Sequence, residues 1–530
     1  MAAADDAKSG SEWKKRESFG SAMAQIAVVA VILAGAVYFL YSRGSTKKAV
    51  TEKVKEARVA ALRNNPVDLK KGLSLADEAL ALDGSAADAL AFEAATQTEL
   101  WLVHHEPGAD AKAKDLLARA VKADSKGEDR YGTEAMHLLA TNPKAADDFI
   151  EDLKKRGASS SARLALAQGL ATKAQGNLKL SRQYFSSAME KAWKDPGFAA
   201  ALGEAYLDEG AFNPANDGFN KGLAQNPDHL RSRLDQAMLR ALKREKTKEA
   251  ADAVTEIMGR DGELTPFLRG RALAVKAELA NAEGRYDDAI SVAGLSAQAN
   301  ADEPFAAFVK ARALGFKNDA AAADAFKAVV KASPTVPLFY FEGASILQKA
   351  GKLDDALGVL DAYEAQFKNV RYQSSEGKDE SYLDRDDRYW LGRGEVLAAA
   401  NKGDDAIAAF DKAIAAKSVN QIRAHYAKAA VLLGRKDYDK AAEILVDITP
   451  TDGTGQLAEA YRAMGDVQFA KKEYPAGCQQ FAYALTRMKA QQAPRDQMNA
   501  LLTDVEKRLK DAGQKNIAKA WMDEAKPLIQ

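Results

Sequence analysis

The sequence predicts an all-α protein, a solenoid of helix-turn-helix repeats preceded by a single N-terminal transmembrane helix. The chain is rich in Ala, Leu, Lys and Glu, which favour helix, and it lacks sustained alternation of β-branched residues. Small and aromatic residues also recur every 34 positions, most clearly in residues 163–227. There, Gly169 and Phe185 of one segment correspond to Gly203 and Phe219 of the next. A fixed period of this size indicates stacked repeats.

Composition narrows the possible functions. Of 530 residues, 47% are hydrophobic, enough for an extended core. Lys plus Arg equal Asp plus Glu at 75 each, and this net charge of zero disfavours a general nucleic-acid binder. The single cysteine, Cys478, can form neither an internal disulfide nor a thiolate zinc cage. We interpret it as a small packing residue and expect no metal, no cofactor and no nucleic acid.

The N-terminal segment predicts a membrane anchor. Residues 1–21 are small and polar, as in a disordered tail. Residues 22–41 contain Gln25 as their one polar side chain, apart from the hydroxyls of Tyr38 and Tyr41. Twenty helical residues span about 30 Å, the thickness of the hydrocarbon core of a bilayer. The two tyrosines lie where an interfacial aromatic belt is expected.

A cleaved signal peptide is the alternative interpretation, because residues 34–36 (Ala-Gly-Ala) resemble a small-residue cleavage site. Cleavage there would leave an apolar new terminus, so an uncleaved anchor is favoured. Basic residues flank the span on both sides, and their larger number after residue 41 favours cytoplasmic repeats by the positive-inside rule. Single anchors followed by helical repeats also resemble bacterial inner-membrane proteins with periplasmic repeats. We expect the inner membrane, with periplasmic repeats.

The remainder of the chain divides by the regularity of its repeats. Residues 42–157 are interpreted as a juxtamembrane flank with degenerate repeats, 158–490 as the regular solenoid and 491–530 as capping helices. A polar insertion at 365–387 is predicted to be a solvated loop, with a partner-binding loop as the alternative. Lys310 does not fit the small site of the first helix, so the packing or the register changes locally. That site falls at Gly169, Gly203, Ala237, Ala277, Lys310, Ala344, Gly394, Ala429 and Gly465.

The repeats resemble the tetratricopeptide repeat (TPR) family. Residues 160–490 resemble it well and 53–157 loosely, although Lys310 and Gly477 depart from its pattern. The units most similar to the family contain Gly203, Tyr206, Ala215, Phe219 and Pro227 in one case, and Trp390, Gly394, Phe410 and Ala413 in the other. The resemblance implies a right-handed superhelix whose concave groove, lined by first helices, binds peptides or protein segments. A coiled coil is disfavoured because the period is 34 residues and not seven.

An arginine recurs six residues before the small site in five units. In the family this position tends to face the groove, which predicts a basic stripe that pairs with carboxylates of an acidic partner segment. The alternative is that each arginine pairs with a nearby Asp or Glu in an exposed first turn. The five are Arg163, Arg231, Arg271, Arg388 and Arg423.

No catalytic motif was found. The only histidine cluster, His104 and His105, lacks a second histidine at the helical spacing that a zinc-protease motif requires. It is expected in a surface loop. Asp384, Asp386 and Asp387 lack the pattern of a calcium loop. We therefore expect that the protein is not an enzyme. We expect a membrane-anchored interaction scaffold or assembly factor for a membrane or envelope complex. The alternatives are a holdase-like chaperone for secreted proteins and an accessory subunit of an envelope enzyme.

Overall fold

The computed structural model describes residues 19–123, 128–157, 161–374 and 376–529. These residues form 26 α-helices and one short two-stranded sheet. Residues 1–18 of the predicted disordered tail lie outside the described residues, and residues 19–21 belong to the first helix. The all-α prediction is confirmed.

Consecutive helices pack as antiparallel pairs, and twelve such pairs, here called units, follow one another from α1–α2 to α23–α24. The last two helices, α25 and α26, close the C-terminal end against α24.

The first six units contain α1 (Phe19–Ala61), α2 (Pro66–Leu82), α3 (Ala87–Leu102), α4 (Ala109–Lys122), α5 (Glu128–Thr141), α6 (Pro143–Lys155), α7 (Ala162–Ala174), α8 (Leu178–Lys191), α9 (Pro196–Asp208), α10 (Phe212–Gln225), α11 (Leu230–Lys243) and α12 (Thr247–Met258).

The remaining elements are α13 (Pro266–Ala282), α14 (Tyr286–Ala299), α15 (Pro304–Phe316), α16 (Ala322–Ala332), α17 (Pro337–Lys349), α18 (Leu353–Phe367), β1 (Arg371–Gln373), β2 (Asp379–Ser381), α19 (Asp387–Ala399), α20 (Gly403–Ala415), α21 (Gln421–Gly434), α22 (Tyr438–Val446), α23 (Ala458–Ala470), α24 (Tyr474–Ala490), α25 (Arg495–Asp511) and α26 (Lys515–Ala525).

The small–aromatic repeat is the contact that holds the two helices of a unit together. A Cβ added at Gly203 would lie 2.5 Å from the ring of Phe219, which is fully buried. The glycine of the first helix thus leaves the space that the phenylalanine of the second helix fills. The same contact recurs in Gly169–Phe185, Gly394–Phe410 and Gly465–Phe481.

The misfit at Lys310 is an error of register by one residue. Lys310 is exposed, whereas the next residue, Ala311, is fully buried. Ala311 follows Ala277 by 34 positions and lies seven residues after Pro304, the first residue of α15. Gly203 has the same position relative to Pro196 in α9. Ala311 is therefore the small site of this unit, and its packing is regular.

The superhelix is tight, because turns inside early units contact loops that lie about five units further on. Asn65, in the turn between α1 and α2, donates from Nδ2 to the carbonyl of Asp228 (2.9 Å) and accepts from the amide of Leu230 (2.9 Å). The carbonyl of His104 accepts from the amide of Phe267 (3.4 Å). Units α1–α2 to α9–α10 therefore form a first layer, and the units from α11–α12 to α19–α20 stack on it as a second layer.

The insertion predicted at 365–387 is a β-hairpin with a packed base. Strands β1 and β2 are antiparallel, with Tyr372 opposite Glu380. The prediction of a solvated loop fits the exposed parts of the hairpin but missed its strands and its attachment. Asn177, in the first layer, donates to the carbonyl of Arg371 (3.1 Å), and Leu383 is buried. The hairpin therefore bridges the two layers.

Helix α1 joins the predicted membrane span to the solenoid without a break. It runs for 43 residues, and the large apolar side chains of residues 23–41 are all exposed. Further along, Val50, Val54, Ala57 and Ala61 are buried against α2 and α3. Among the described residues, α1 is the one helix long and apolar enough to cross a membrane, by length and composition.

Candidate functional site

The concave side of the two layers encloses a cavity of about 350 Å³, here called the axial cavity. Its walls come mainly from the first helices of successive units, from α3 to α15. Apolar side chains such as Leu166, Leu170 and Phe198 alternate there with charged ones. The expected concave groove is thus reduced in this part of the chain to a small chamber, because the layers lie in contact.

Three of the five recurrent arginines line the axial cavity, and each is held by carboxylates of this chain. Arg163 lies 3.3 Å from Glu99. Arg231 donates twice to Glu204, each time at 2.5 Å.

Arg271 contacts Asp235 and, at 2.9 Å, Glu303; the side chains of both carboxylates are fully buried. The structure brings these three arginines together, in ion pairs that connect first helices of different units.

The other two arginines lie at a second, more open site, here called the notch. It has a volume of about 350 Å³ between α17, α19, α21 and the turn after α9. Arg388 donates to the carbonyl of Glu209 and lies over the ring of Phe341 (5.1 Å). Arg423 pairs with Glu395 (2.8 Å), and its side chain remains 63% exposed, compared with 6% for Arg271. The recurrent position therefore reaches solvent only near the C-terminal end.

Sequence reasoning missed a further buried arginine, Arg312. Its guanidinium bridges Glu278 (3.0 Å) and Glu342, and it is 4% exposed. Arg312 directly follows the corrected small site, at a position where Glu204 and Glu278 follow theirs. A reversal of charge at an aligned position was the signal that could have found it.

Burial and charge strongly shift several ionisable groups near the axial cavity. Burial together with the nearby Glu99 raises the pKa of Asp195 to about 7. Burial also disfavours the charged form of Glu204, but the paired Arg231 outweighs it and lowers the pKa to about 2.

His104 lies at the contact between the layers, and its expected surface position is wrong. Its ring is 1% exposed, 6.3 Å from that of Phe267, and neither ring nitrogen has a hydrogen-bond partner. Burial lowers its pKa to about 4 and that of the neighbouring His229 to about 3. Both histidines are therefore neutral at pH 7.

The single cysteine has an unreactive thiol. Cys478 is half-buried in α24, and burial raises the pKa of its thiol to about 11, so the reactive thiolate is scarce at pH 7. Within the described ranges, no three His, Cys, Asp or Glu side chains are grouped so that they could hold a metal ion.

The paired helices, the glycine–phenylalanine contacts and the superhelical stacking define an α-solenoid of the TPR type, a fold whose concave side is suited to binding protein segments. No family model matches the chain, and no curated protein matches it.

The chain is similar to several solved TPR-type structures. One is the Cut9–Hcn1 hetero-tetramer of the APC/C, with 13% identity over 90% of this chain and 86% of that one, and a TM-score of 0.42. Another is the human IFIT1 dimer with PPP-AAAA, with 14% identity over 75% and 90% and a TM-score of 0.42. Yeast Tom70 has 16% identity over 83% and 97% and a TM-score of 0.37. Likeness at this level concerns the fold alone and carries no inference about function.

Proposed function

We propose that the protein is a single-pass membrane-anchored scaffold that holds a segment of a partner protein for assembly of a membrane or envelope complex. The observation that carries this proposal is the continuity of α1. One helix contains both the exposed apolar stretch 23–41 and the buried residues Val50 to Ala61 of the first unit. An anchor of this kind fixes the position of the solenoid relative to the bilayer, as assembly of a membrane complex requires.

We place the anchor in the inner membrane and the repeats on the periplasmic side, with the span uncleaved. Two observations support the anchor: residues 22–41 carry no charge and only one polar side chain apart from the tyrosine hydroxyls, and the large apolar side chains of this stretch are exposed in the structure. A periplasm-active reporter fused after Gln530 should be active and a cytoplasm-active one silent. The intact mass of the extracted protein should include residues 1–36. The opposite reporter pattern would move the repeats to the cytoplasm.

We assign partner recognition to the notch, because its arginines are more exposed than those of the axial cavity. Arg423 has one carboxylate partner, Glu395, and a largely solvated guanidinium, so a carboxylate of a partner segment can pair with it at little desolvation cost. Leu338, Phe341 and Leu391 supply an apolar floor for neighbouring side chains of the segment. The predicted basic stripe is thereby narrowed to Arg388 and Arg423 as the groups that contact the partner.

Crosslinking of native membranes, followed by capture of the tagged full chain, tests the proposal. Arg423→Glu should reduce the yield of the main crosslinked partner at least 10-fold. Arg285→Glu is the matched control, since Arg285 is 55% exposed and paired with Glu283 and Asp288 in a turn far along the chain from the notch. Equal yields from the two variants would refute the role of the notch. Capture of many unfolded clients, in place of one stoichiometric partner, would indicate a holdase.

A further inference from the structure

The charges around the axial cavity do not balance. Among the described residues, the side chains that line it or pair directly with a lining side chain include four cations and seven carboxylates. The cations are Arg163, Lys173, Arg231 and Arg271. The carboxylates are Glu99, Asp195, Glu204, Asp208, Asp235, Asp302 and Glu303. Burial raises the pKa values of Asp195, Asp235 and Glu303, so protons offset part of this excess. A cation bound in the cavity would take the place of such a proton.

Two carboxylate oxygens beside the axial cavity lack a hydrogen-bond donor. Oδ2 of Asp235 and Oε2 of Glu303 are buried and have no hydrogen-bond partner. Arg271 lies between these two carboxylates and contacts each through its other oxygen. Neither Asp235 nor Glu303 lines the axial cavity itself, so these atoms mark a shortage of donors behind its wall, and a ligand in the cavity must meet another carboxylate.

Asp195 is the carboxylate best placed to meet a ligand. One of its oxygens accepts a hydrogen bond from the amide of Gly197 (2.9 Å) at the start of α9, and no cation of the described chain lies within 4.0 Å of it. Burial and the nearby Glu99 raise its pKa to about 7, although Arg163 and Arg231 act in the opposite direction, so the positive charge near Asp195 does not compensate for its burial. Asp195 lines the axial cavity and also an adjoining outer cavity of about 490 Å³.

The walls indicate what else the ligand carries. Leu166, Leu170, Phe185 and Phe198 present apolar surface to the axial cavity. The outer cavity is bordered by the exposed Arg58, Lys191 and Lys194, which would repel a cation. The exposed Asp302 also lines the axial cavity, so a cation would approach from that side.

We propose that the axial cavity is a binding site for a cation on an apolar stem, an alkylammonium or alkylguanidinium group, with Asp195 as its counter-ion. The apolar stem lies against Leu166, Leu170 and Phe198, and the cationic head replaces the missing partner of the carboxylate. The group belongs either to a free amine or to a lysine or arginine side chain of a protein segment. This site is independent of the notch, and its ligand has the opposite charge.

Binding should be coupled to deprotonation of Asp195. A cation near the carboxylate favours its charged form, so affinity should rise as the pH increases from 6 to 8, through the free-state pKa of about 7. A neutral or anionic ligand would not show this increase. The pH dependence therefore reports on the charge of the occupant.

Isothermal titration of the full chain in nanodiscs with n-hexylammonium, n-hexanol and n-hexanoate at pH 8 tests the proposal. Hexylammonium should bind at least 10-fold more tightly than either of the other two. Asp195→Asn keeps an N-cap acceptor for Gly197 but removes the charge, and it should weaken hexylammonium binding at least 10-fold without changing that of hexanol. Asp287→Asn, at an exposed carboxylate paired with Lys317, removes the same charge and should have no effect.

A capped tripeptide, acetyl-Leu-Lys-Leu-amide, distinguishes the two sources of the cation. Tighter binding of the peptide than of hexylammonium would assign the site to a protein side chain, and binding of hexylammonium alone would assign it to free amines. Equal binding of the three six-carbon probes, or unchanged hexylammonium affinity in Asp195→Asn, would overturn the proposal. Because these titrations do not involve Arg423, a negative result would not bear on the proposed role of the notch.

Discussion

The two-layered part of the solenoid and its C-terminal end are built from the same repeat but differ in the exposure of their ion pairs. Around the axial cavity, Arg271 and its carboxylate partners Asp235 and Glu303 are buried. From α19 onward, the pairs Arg423–Glu395 and Arg435–Asp404 lie at the surface. The repeat itself only directs a side chain to the concave side. Whether that side chain becomes part of the core or remains free to bind depends on what the superhelix stacks against it.

Arg271 and Arg423 provide the most direct test of this difference. Arg271→Met leaves two buried carboxylates without a cation and should lower the free energy of unfolding by about 3–5 kcal/mol. Arg423→Met removes an exposed ion pair and should cost at most about 1 kcal/mol. Urea denaturation followed by circular dichroism measures both. If the two variants lose equal stability, the distinction between the regions is wrong.

The contact between the layers should weaken in acid. The contribution of His104 to the free energy of unfolding is complete above pH 6.5, where this residue is neutral in both the folded and the unfolded chain. As the pH falls towards 4, His104 becomes protonated in the unfolded chain but stays neutral in the folded one, so this contribution is lost. A shift from 6.5 to about 4, at about 1.4 kcal/mol per pKa unit, corresponds to about 3–4 kcal/mol.

Hydrogen exchange at the amide of Phe267, which donates to the carbonyl of His104, reports on this contact. Exchange should accelerate as the pH decreases from 6.5 to 4, after correction for the intrinsic rate, and His104→Phe should reduce that acceleration. The charged neighbours Glu99, Glu204 and Arg231 remain in the variant, so an unchanged pH dependence would assign the effect to them.

The glycine–phenylalanine contact within a unit should contribute equally to stability in both regions. Gly203→Ala places a methyl group against the ring of Phe219 and should cost about 1–3 kcal/mol. Gly394→Ala meets Phe410 at the same distance and should cost a similar amount. Gly358→Ala, in α18 with open space around it, should be neutral or stabilising by up to about 1 kcal/mol. Thermal unfolding of the three variants checks this order, and a cost at Gly358 equal to that at Gly203 would contradict it.

The sequence by itself determined the helical class, the 34-residue repeat and the long apolar helix, because these follow from local propensity and from spacing along one helix. It even contained the correction at Ala311, since the period of 34 from Ala277 leads there. Arg312 was also accessible, as a reversal of charge at an aligned position.

Only the tertiary structure decided what the recurrent arginines face. Asn65 meets Asp228, and His104 meets Phe267, about five units further along the chain, and no local pattern specifies such distant contacts. The pitch of the superhelix is the sum of many small rotations between units. That sum closes the groove around Arg231 and Arg271 but leaves Arg423 in solvent. It also places Asp195 at the axial cavity, with no ion-pair partner among the described residues.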